Sequence, residues 1–253
     1  MTLNTESMVL GAVIFDFDGT LIDSYTQRWI AHREVCKFLS EYLDKRGFEP
    51  DRDVILDLIS KTEIKKSDGS EWNRDVWWRE VLRSYFGKNV QIPSSTLSDA
   101  TLIYWNIIMK TSHVYPGVSS LLLNLKKRGF LLGLISDTDG LQGMKAKRIA
   151  YSGLRGFFNA IIVAGEDTQE VKPSIKPFIK ISELMSVPPE KCIFVGDNQK
   201  VDVLGAKALG IKTIIIENEI NLFGNSVSAP DLLLKRENVS DLEGLIVEML
   251  TVT

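Results

Sequence analysis

Two cysteines, Cys36 and Cys192, are all that 253 residues contain, too few and too far apart for a disulfide framework or a metal knuckle. A reducing cytoplasm is the expected setting. Charge of one sign is lacking too. Lys and Arg number 30 against 33 Asp and Glu, a formal charge of -3, so there is no basic stripe of the kind that grips nucleic acid or an anionic membrane. Neither is expected as a partner. Long apolar runs are also missing. The stretch Met8 to Phe15 falls far short of the roughly 20 residues of a membrane helix, and no basic segment with a cleavage site precedes it. Neither insertion nor export is expected. No repeat or low-complexity tract appears. With 44% hydrophobic residues, the chain has enough apolar material for a sizeable core and for two structural units.

The distribution of that material predicts the architecture. Val9 to Phe15 (VLGAVIF) is a short, nearly continuous apolar run ending in acids, as suits a strand buried on both faces of a parallel sheet. Leu131 to Ile135, Ala160 to Ala164, Cys192 to Val195 and Thr213 to Ile216 share that character, with Asp231 to Leu234 a weaker sixth. Helical patterns alternate with them from Pro116 onward, as in Gly117 to Arg128. This rhythm implies right-handed crossovers and an open, doubly wound α/β sheet, which binds ligands beyond the carboxyl ends of its strands. Residues 24–111 break the rhythm and read as a helical insert, leaving 1–23 and 112–253 for the sheet domain. Within the insert, Gln27 to Lys45 and Trp72 to Phe86 predict helices, the second with Trp72, Val76, Trp77, Val81 and Tyr85 as core. The polar segment Lys61 to Ser70 predicts a loop. Ser240 and Glu243 have the spacing of a capping box before a last helix.

Four polar groups fall near strand ends. Asp16 and Asp18 stand two apart, so their side chains leave one face before Gly19 turns the backbone. Crowded carboxylates push their proton affinities apart, leaving one ionised and one able to hold a proton, the division between a nucleophile and a general acid. Alone, the pair suits a turn with solvated acids equally well. Ser136, followed by Asp137-Thr138-Asp139-Gly140, offers a hydroxyl and free amides to an anion, or simply caps a turn. Lys172, before Pro173, can balance clustered acids or sit in solvent. Asp197 and Asp202, about one helical turn apart after Gly196, supply hard oxygen ligands for a cation such as magnesium. Four such signals in one order, each beyond a predicted parallel strand, are not independent accidents.

Taken together, VIFDFDGTLIDS (Val13 to Ser24), LLGLISDTDG (Leu131 to Gly140), Lys172-Pro173 and IFVGDNQKVD (Ile193 to Asp202) resemble the four motifs of the haloacid dehalogenase superfamily, in its phosphatase branch with a helical cap. The resemblance implies a phosphohydrolase with Asp16 as nucleophile, Asp18 as general acid and base, Ser136 as phosphate ligand and Lys172 as the clamp between nucleophile and phosphate. It further implies Mg²⁺ on Asp16, the Asp18 carbonyl and Asp197, with Asp202 reaching it directly or through water. Two positions depart from the pattern. Asp137 stands where the family often has Asn, which adds negative charge beside the phosphate site. Ile175 replaces a common proline, which leaves Lys176 as a second candidate clamp.

A dehalogenase needs neither Asp18 nor a metal, so Asp18 argues for phosphate. A phosphomutase would share all four motifs. A receiver-type signalling module would carry its acceptor acid on a middle strand, without a long insert after the first. The expected substrate is a small phosphorylated metabolite. Arg28, near the insert's start, and Lys61, Lys65 and Lys66 in the polar segment are candidates for contacting a second anionic group. The chain is expected as a monomer, or as a homodimer joined through exposed aromatics of the insert.

Overall fold

The computed structural model describes residues 10–66, 71–87, 90–217 and 228–251. The chain divides into two compact units, one formed by Met1–Asp23, His113–Thr138 and Lys145–Thr253, the other by Ser24–Ser112 and Asp139–Met144.

The first unit is built on a six-stranded sheet. Its strands are β1 (Gly11–Phe15), β4 (Phe130–Asp137), β5 (Ala160–Ala164), β6 (Cys192–Gly196), β7 (Lys212–Glu217) and β8 (Leu232–Lys235), in the order β5-β4-β1-β6-β7-β8. All neighbours are parallel. Two short segments, β2 (Ile22–Asp23) and β3 (His113–Val114), pair antiparallel beside the point where the second unit is inserted. All five residues of β1 are buried. Successive side chains of a strand point to opposite faces, so the continuous apolar run feeds two cores. Val13 and Phe15 join Leu132, Leu134, Ile193 and Val195 on one face, under α5 (Val118–Lys127) and α9 (Leu242–Thr251). Ala12 and Ile14 join Ile135 and Phe194 on the other, against α7 (Lys176–Met185) and α8 (Gln199–Lys207). The helix α6 (Met144–Tyr151), which belongs to this unit from Lys145 onward, follows β4. Among the described residues no helix is long and apolar enough to cross a membrane.

The second unit is helical: α1 (Arg28–Asp44), α2 (Arg52–Lys66), α3 (Arg74–Phe86) and α4 (Ser94–Thr111). Ala31, Val35, Leu39 and Leu43 recur every fourth residue along α1 and are fully buried, the stripe that an amphipathic helix presents to its neighbours. In α3, Trp77 and Val81 join the core and Val76 and Tyr85 pack at its margin. Trp72 lies ahead of the helix and only partly buried, while Trp78 is the most deeply buried tryptophan.

Two local expectations fail. The polar segment from Lys61 does not begin a loop, because α2 continues to Lys66; Ser67 to Ser70 lie outside the described residues, as does Val9. Its polarity is that of a helix face whose cations are paired, Lys61 with Asp57 and Lys65 with Glu80. The capping box is absent. Ser240 sits in a 3-10 turn (Arg236–Asp241), and Glu243 instead accepts hydrogen bonds from Asn124 and Arg128 of the α5 region.

Candidate active site

Because the strands of the sheet are parallel, their carboxyl ends share one edge, and the polar residues that follow β1, β4 and β6 emerge side by side. The Asp16 amide donates to Val195 O at 2.9 Å, carrying the β1–β6 pairing one residue beyond the strand. The chain then reverses: Leu21 and Ile22 donate to Phe17 O, and Gly19 donates to Ile22 O at 2.8 Å. Gly19 has φ +81°, a left-handed conformation that costs glycine no Cβ clash. The turn brings Thr20 back over the strand end, its Oγ1 3.3 Å from Asp16 Oδ2 and 3.2 Å from Asp197 Oδ1.

Lys172 is the centre of the charge arrangement. Its Nζ lies 2.6 Å from Asp16 Oδ1 and 2.7 Å from Asp202 Oδ1, and the residue is 4% exposed. Burial alone would discharge this lysine, but Asp16, Asp202 and Asp137 outweigh it and hold the pKa well above its ordinary value. Lys176, the other candidate clamp, opens α7 on the surface and pairs with Glu170. Asp202 is fully buried. One of its oxygens takes Lys172, the other accepts the Asn198 amide at 2.9 Å, and a Cβ at position 196 would come within 2.2 Å of it. Gly196 is therefore what lets Asp202 lie under the strand end. Asp137 is engaged by the main chain of the lysine: its Oδ1 accepts the Lys172 amide at 3.0 Å. Ser136 is the last residue but one of β4, buried and opposite Val163 of β5.

Burial raises the Asp16 pKa to about 6, with Lys172 pulling it down and Asp202 adding to the rise. Asp18 behaves differently. Burial acts on it as well, but Arg148 and Lys145 of α6 overcome that and hold its carboxyl far below the usual range. Arg148 contacts both of its oxygens, and Lys145 contacts Oδ2. The two acids are thus shifted in opposite directions, Asp16 upward chiefly by its burial and Asp18 downward by the Arg148 and Lys145 cations, so Asp18 is the more firmly ionised and Asp16 the nearer to holding a proton.

Thr20, Lys145 and Arg148 were not singled out from the sequence. Thr20 lies inside the first motif. Lys145 and Arg148 are three apart on one helix, the spacing that puts two side chains on one face, but Lys147 between them is equally basic and exposed.

The residues present suit a hard divalent cation. Thr20 has a single hydroxyl proton and cannot donate to the carboxylates of Asp16 and Asp197 at once, so a cation there would replace a shared hydrogen bond with direct neutralisation of both. No three His, Cys, Asp or Glu side chains are grouped as a ligand set among the described residues. Two carboxylates supplemented by main-chain oxygen and water is the usual complement for magnesium.

In the helical unit, Lys61, Lys65 and Lys66 form surface pairs with Asp57 and Glu80. Arg28 belongs to a different group. With Arg74 and His32 it surrounds the buried Glu63, at 3.4 Å for Arg28 and 3.1 Å for Arg74. Arg74 lies over the rings of Trp77 and Tyr104.

Residues 13–216 match the model of the haloacid dehalogenase-like hydrolases. The chain is 29% identical over 246 residues to a glyceraldehyde 3-phosphate phosphatase of Pyrococcus furiosus, covering 91% of this chain and 95% of that one. It is 27% identical over 214 residues to the N-acylneuraminate-9-phosphatase of Rattus norvegicus, covering 82% of each. A crystal structure of a putative β-phosphoglucomutase from Thermotoga maritima shares its fold, with a TM-score of 0.66 over 96% of this chain and 97% of that one at 19% identity.

Proposed function

The chain belongs to the haloacid dehalogenase-like hydrolase family, and from that membership and the geometry of the sheet edge we propose that it hydrolyses a small phosphomonoester through a phosphate ester on Asp16. The observation that carries the reading is the Lys172 ammonium held between Asp16 and Asp202, with Thr20 joining Asp16 to Asp197. A carboxylate, a buried cation and a second carboxylate meet where a parallel sheet opens to ligands.

An incoming phosphate dianion repels Asp16, so its charge must be offset before attack. Lys172 supplies part of the offset, and the Ser136 hydroxyl and the amides after β4 supply donors. Magnesium held by Asp16, Asp197 and the Asp18 carbonyl would supply the rest as a Lewis acid. With a pKa near 6, Asp16 is ionised at neutral pH and free to attack phosphorus. The Asp16 oxygen–phosphorus bond forms as the bond to the leaving oxygen breaks, and the leaving oxygen takes a proton from Asp18. Water then attacks the same phosphorus, Asp18 takes its proton, and Asp16 is regenerated as phosphate departs. The ion pairs with Lys145 and Arg148 keep Asp18 ionised but weaken it as a base, so its proton uptake in the second step requires those pairs to loosen. Its acid role requires those pairs to open and the carboxyl to gain a proton.

The helical unit, inserted just after the turn that bears Asp18, is assigned the part of a cap that selects the substrate. Named relatives act on a triose phosphate and on a nine-carbon sugar acid phosphate, and this chain is assigned to the same broad class of small phosphorylated metabolites. The test is a panel of sugar, organic-acid and nucleoside phosphates assayed for inorganic phosphate with Mg²⁺ present. Steady multiple turnover on at least one small ester is expected. Isomerisation of a sugar phosphate without phosphate release, or turnover confined to phosphoproteins, would overturn the reading.

A further inference from the structure

The turn that follows Asp16 is held from outside by a residue far away in sequence. Arg236, which leaves β8, donates through Nη2 to Gly19 O and through Nη1 to Thr20 O at 3.2 Å. Its guanidinium lies over the ring of Tyr115, 4.1 Å from the centroid. Tyr115 is itself tied to the turn, its amide donating to Leu21 O at 3.0 Å. Two consecutive carbonyls, both from residues of the Asp18–Thr20 turn, are thus gripped by one planar fork, and that fork is braced by a ring anchored one residue further on.

We propose that Arg236 is a positioning residue of the site, fixing the peptide planes of Gly19 and Thr20 and so the placement of the Thr20 hydroxyl and the Asp18 main chain. The proposal rests on the functional reading given above. Thr20 connects the two ends of the chain of contacts. Its carbonyl is held by Arg236, while its hydroxyl spans Asp16 and Asp197 at 3.3 and 3.2 Å. Those bonds are already long, so a small rotation of the peptide breaks them. The Asp18 carbonyl is one bond from the Gly19 amide and turns with the same backbone. A point charge cannot do the work of the fork: lysine at 236 could reach one carbonyl at a time, and it lacks the flat face that stacks on Tyr115.

The test uses the full-length protein and three variants, Arg236→Met, Arg236→Lys and Arg236→Ala, with Arg128→Met as a surface control. Arg128 pairs with Glu243 and is remote from the turn in the contacts it makes. Magnesium binding to the metal-free protein is read by titration calorimetry, and kcat and KM are read with p-nitrophenyl phosphate. Groups that orient metal ligands typically contribute about 10- to 100-fold to affinity or activity. Arg236→Met is expected to weaken magnesium binding and lower kcat by factors in that range, with KM little changed. Arg236→Lys should recover only part of the loss, and methylguanidinium added to Arg236→Ala should restore both readouts. The control should match wild type. Magnesium affinity and kcat within twofold of wild type in Arg236→Met, or losses that only track the unfolded fraction with no rescue by methylguanidinium, would overturn the assignment. If the wild type released phosphate from no ester while Arg236→Met still lost magnesium affinity, the functional reading would fail and the positioning role would stand.

Discussion

Replacing Lys172 by methionine removes the one charge that holds two buried carboxylates together while nearly keeping the side chain's length. Both partners lie within 2.7 Å of its Nζ, and all three groups are buried. Deleting one member of a buried ion pair strands the other, at a typical cost of about 3–5 kcal/mol. For a unit of this size, a change of that order lowers Tm by about 10 °C. The Asp137 contact survives, since it is made to the backbone amide of residue 172 and not to the side chain. Asp16 suffers more. Its pKa is already about 6 with Lys172 pulling it down, so losing that pull while burial and Asp202 remain sends it higher and protonates the nucleophile at neutral pH. Loss of the charge that offsets the incoming phosphate costs roughly a further 10² to 10³ in kcat, the usual scale for one preorganised donor. The assay pairs thermal unfolding with p-nitrophenyl phosphate hydrolysis for Lys172→Met and Lys176→Met. Only the first should lose stability and activity, because Lys176 and Glu170 meet in solvent. A fully active, wild-type-stable Lys172→Met protein, or an inactive Lys176→Met, would refute the reasoning.

Three further outcomes follow from the same contacts. Asp16→Asn should abolish formation of any phosphoenzyme, whereas Asp18→Asn should slow turnover by about 10² to 10⁴ and, with p-nitrophenyl phosphate, give a burst approaching one nitrophenolate per site; equal bursts from both variants would sink the division of roles. Exhaustive chelation should stop turnover reversibly, and activity that survives verified metal removal would exclude the proposed charge balance at Asp16 and Asp197. In the helical unit, burial would raise the Glu63 pKa, but Arg74, Arg28 and His32 together hold it well below its ordinary value. The stabilisation this provides is therefore present above the unfolded pKa and lost as pH falls through the folded one. Thermal melts should accordingly weaken on acidification below about pH 4.5. Glu63→Gln, which strands Arg74 among aromatic rings, should cost about 3–5 kcal/mol near neutrality and flatten that slope, an expectation that fails if both proteins melt with the same pH dependence.

The sheet was legible in the sequence because a strand buried on both faces must be apolar through its middle, and β1, β4, β5, β6 and β7 each overlap such a run, β4 and β7 extending past theirs into polar residues. The positions of Asp16 and Asp197 followed, since a polar residue directly after a parallel strand falls at the edge where ligands bind, and Ser136 reaches the same edge as the last residue but one of β4. What the pattern could not supply was any pairing that depends on how a helix is rotated or where a distant loop lands. Lys145, Lys147 and Arg148 are three cations within four residues, and only the packing of α6 turns the first and last toward Asp18 while leaving Lys147 exposed. Those two ion pairs decide which acid of the first motif holds its charge more firmly, a choice that two carboxylates alone leave symmetric. Lys172 and Lys176 are likewise alike in sequence, and burial beside Asp202 separates them. Arg236 lies 216 residues from Thr20, and only the addition of β8 at the far edge of the sheet brings its guanidinium to the turn that follows Asp16. Periodicity carries the local folding because hydrophobic burial is set by neighbours along the chain, whereas charge pairing is set by neighbours in space.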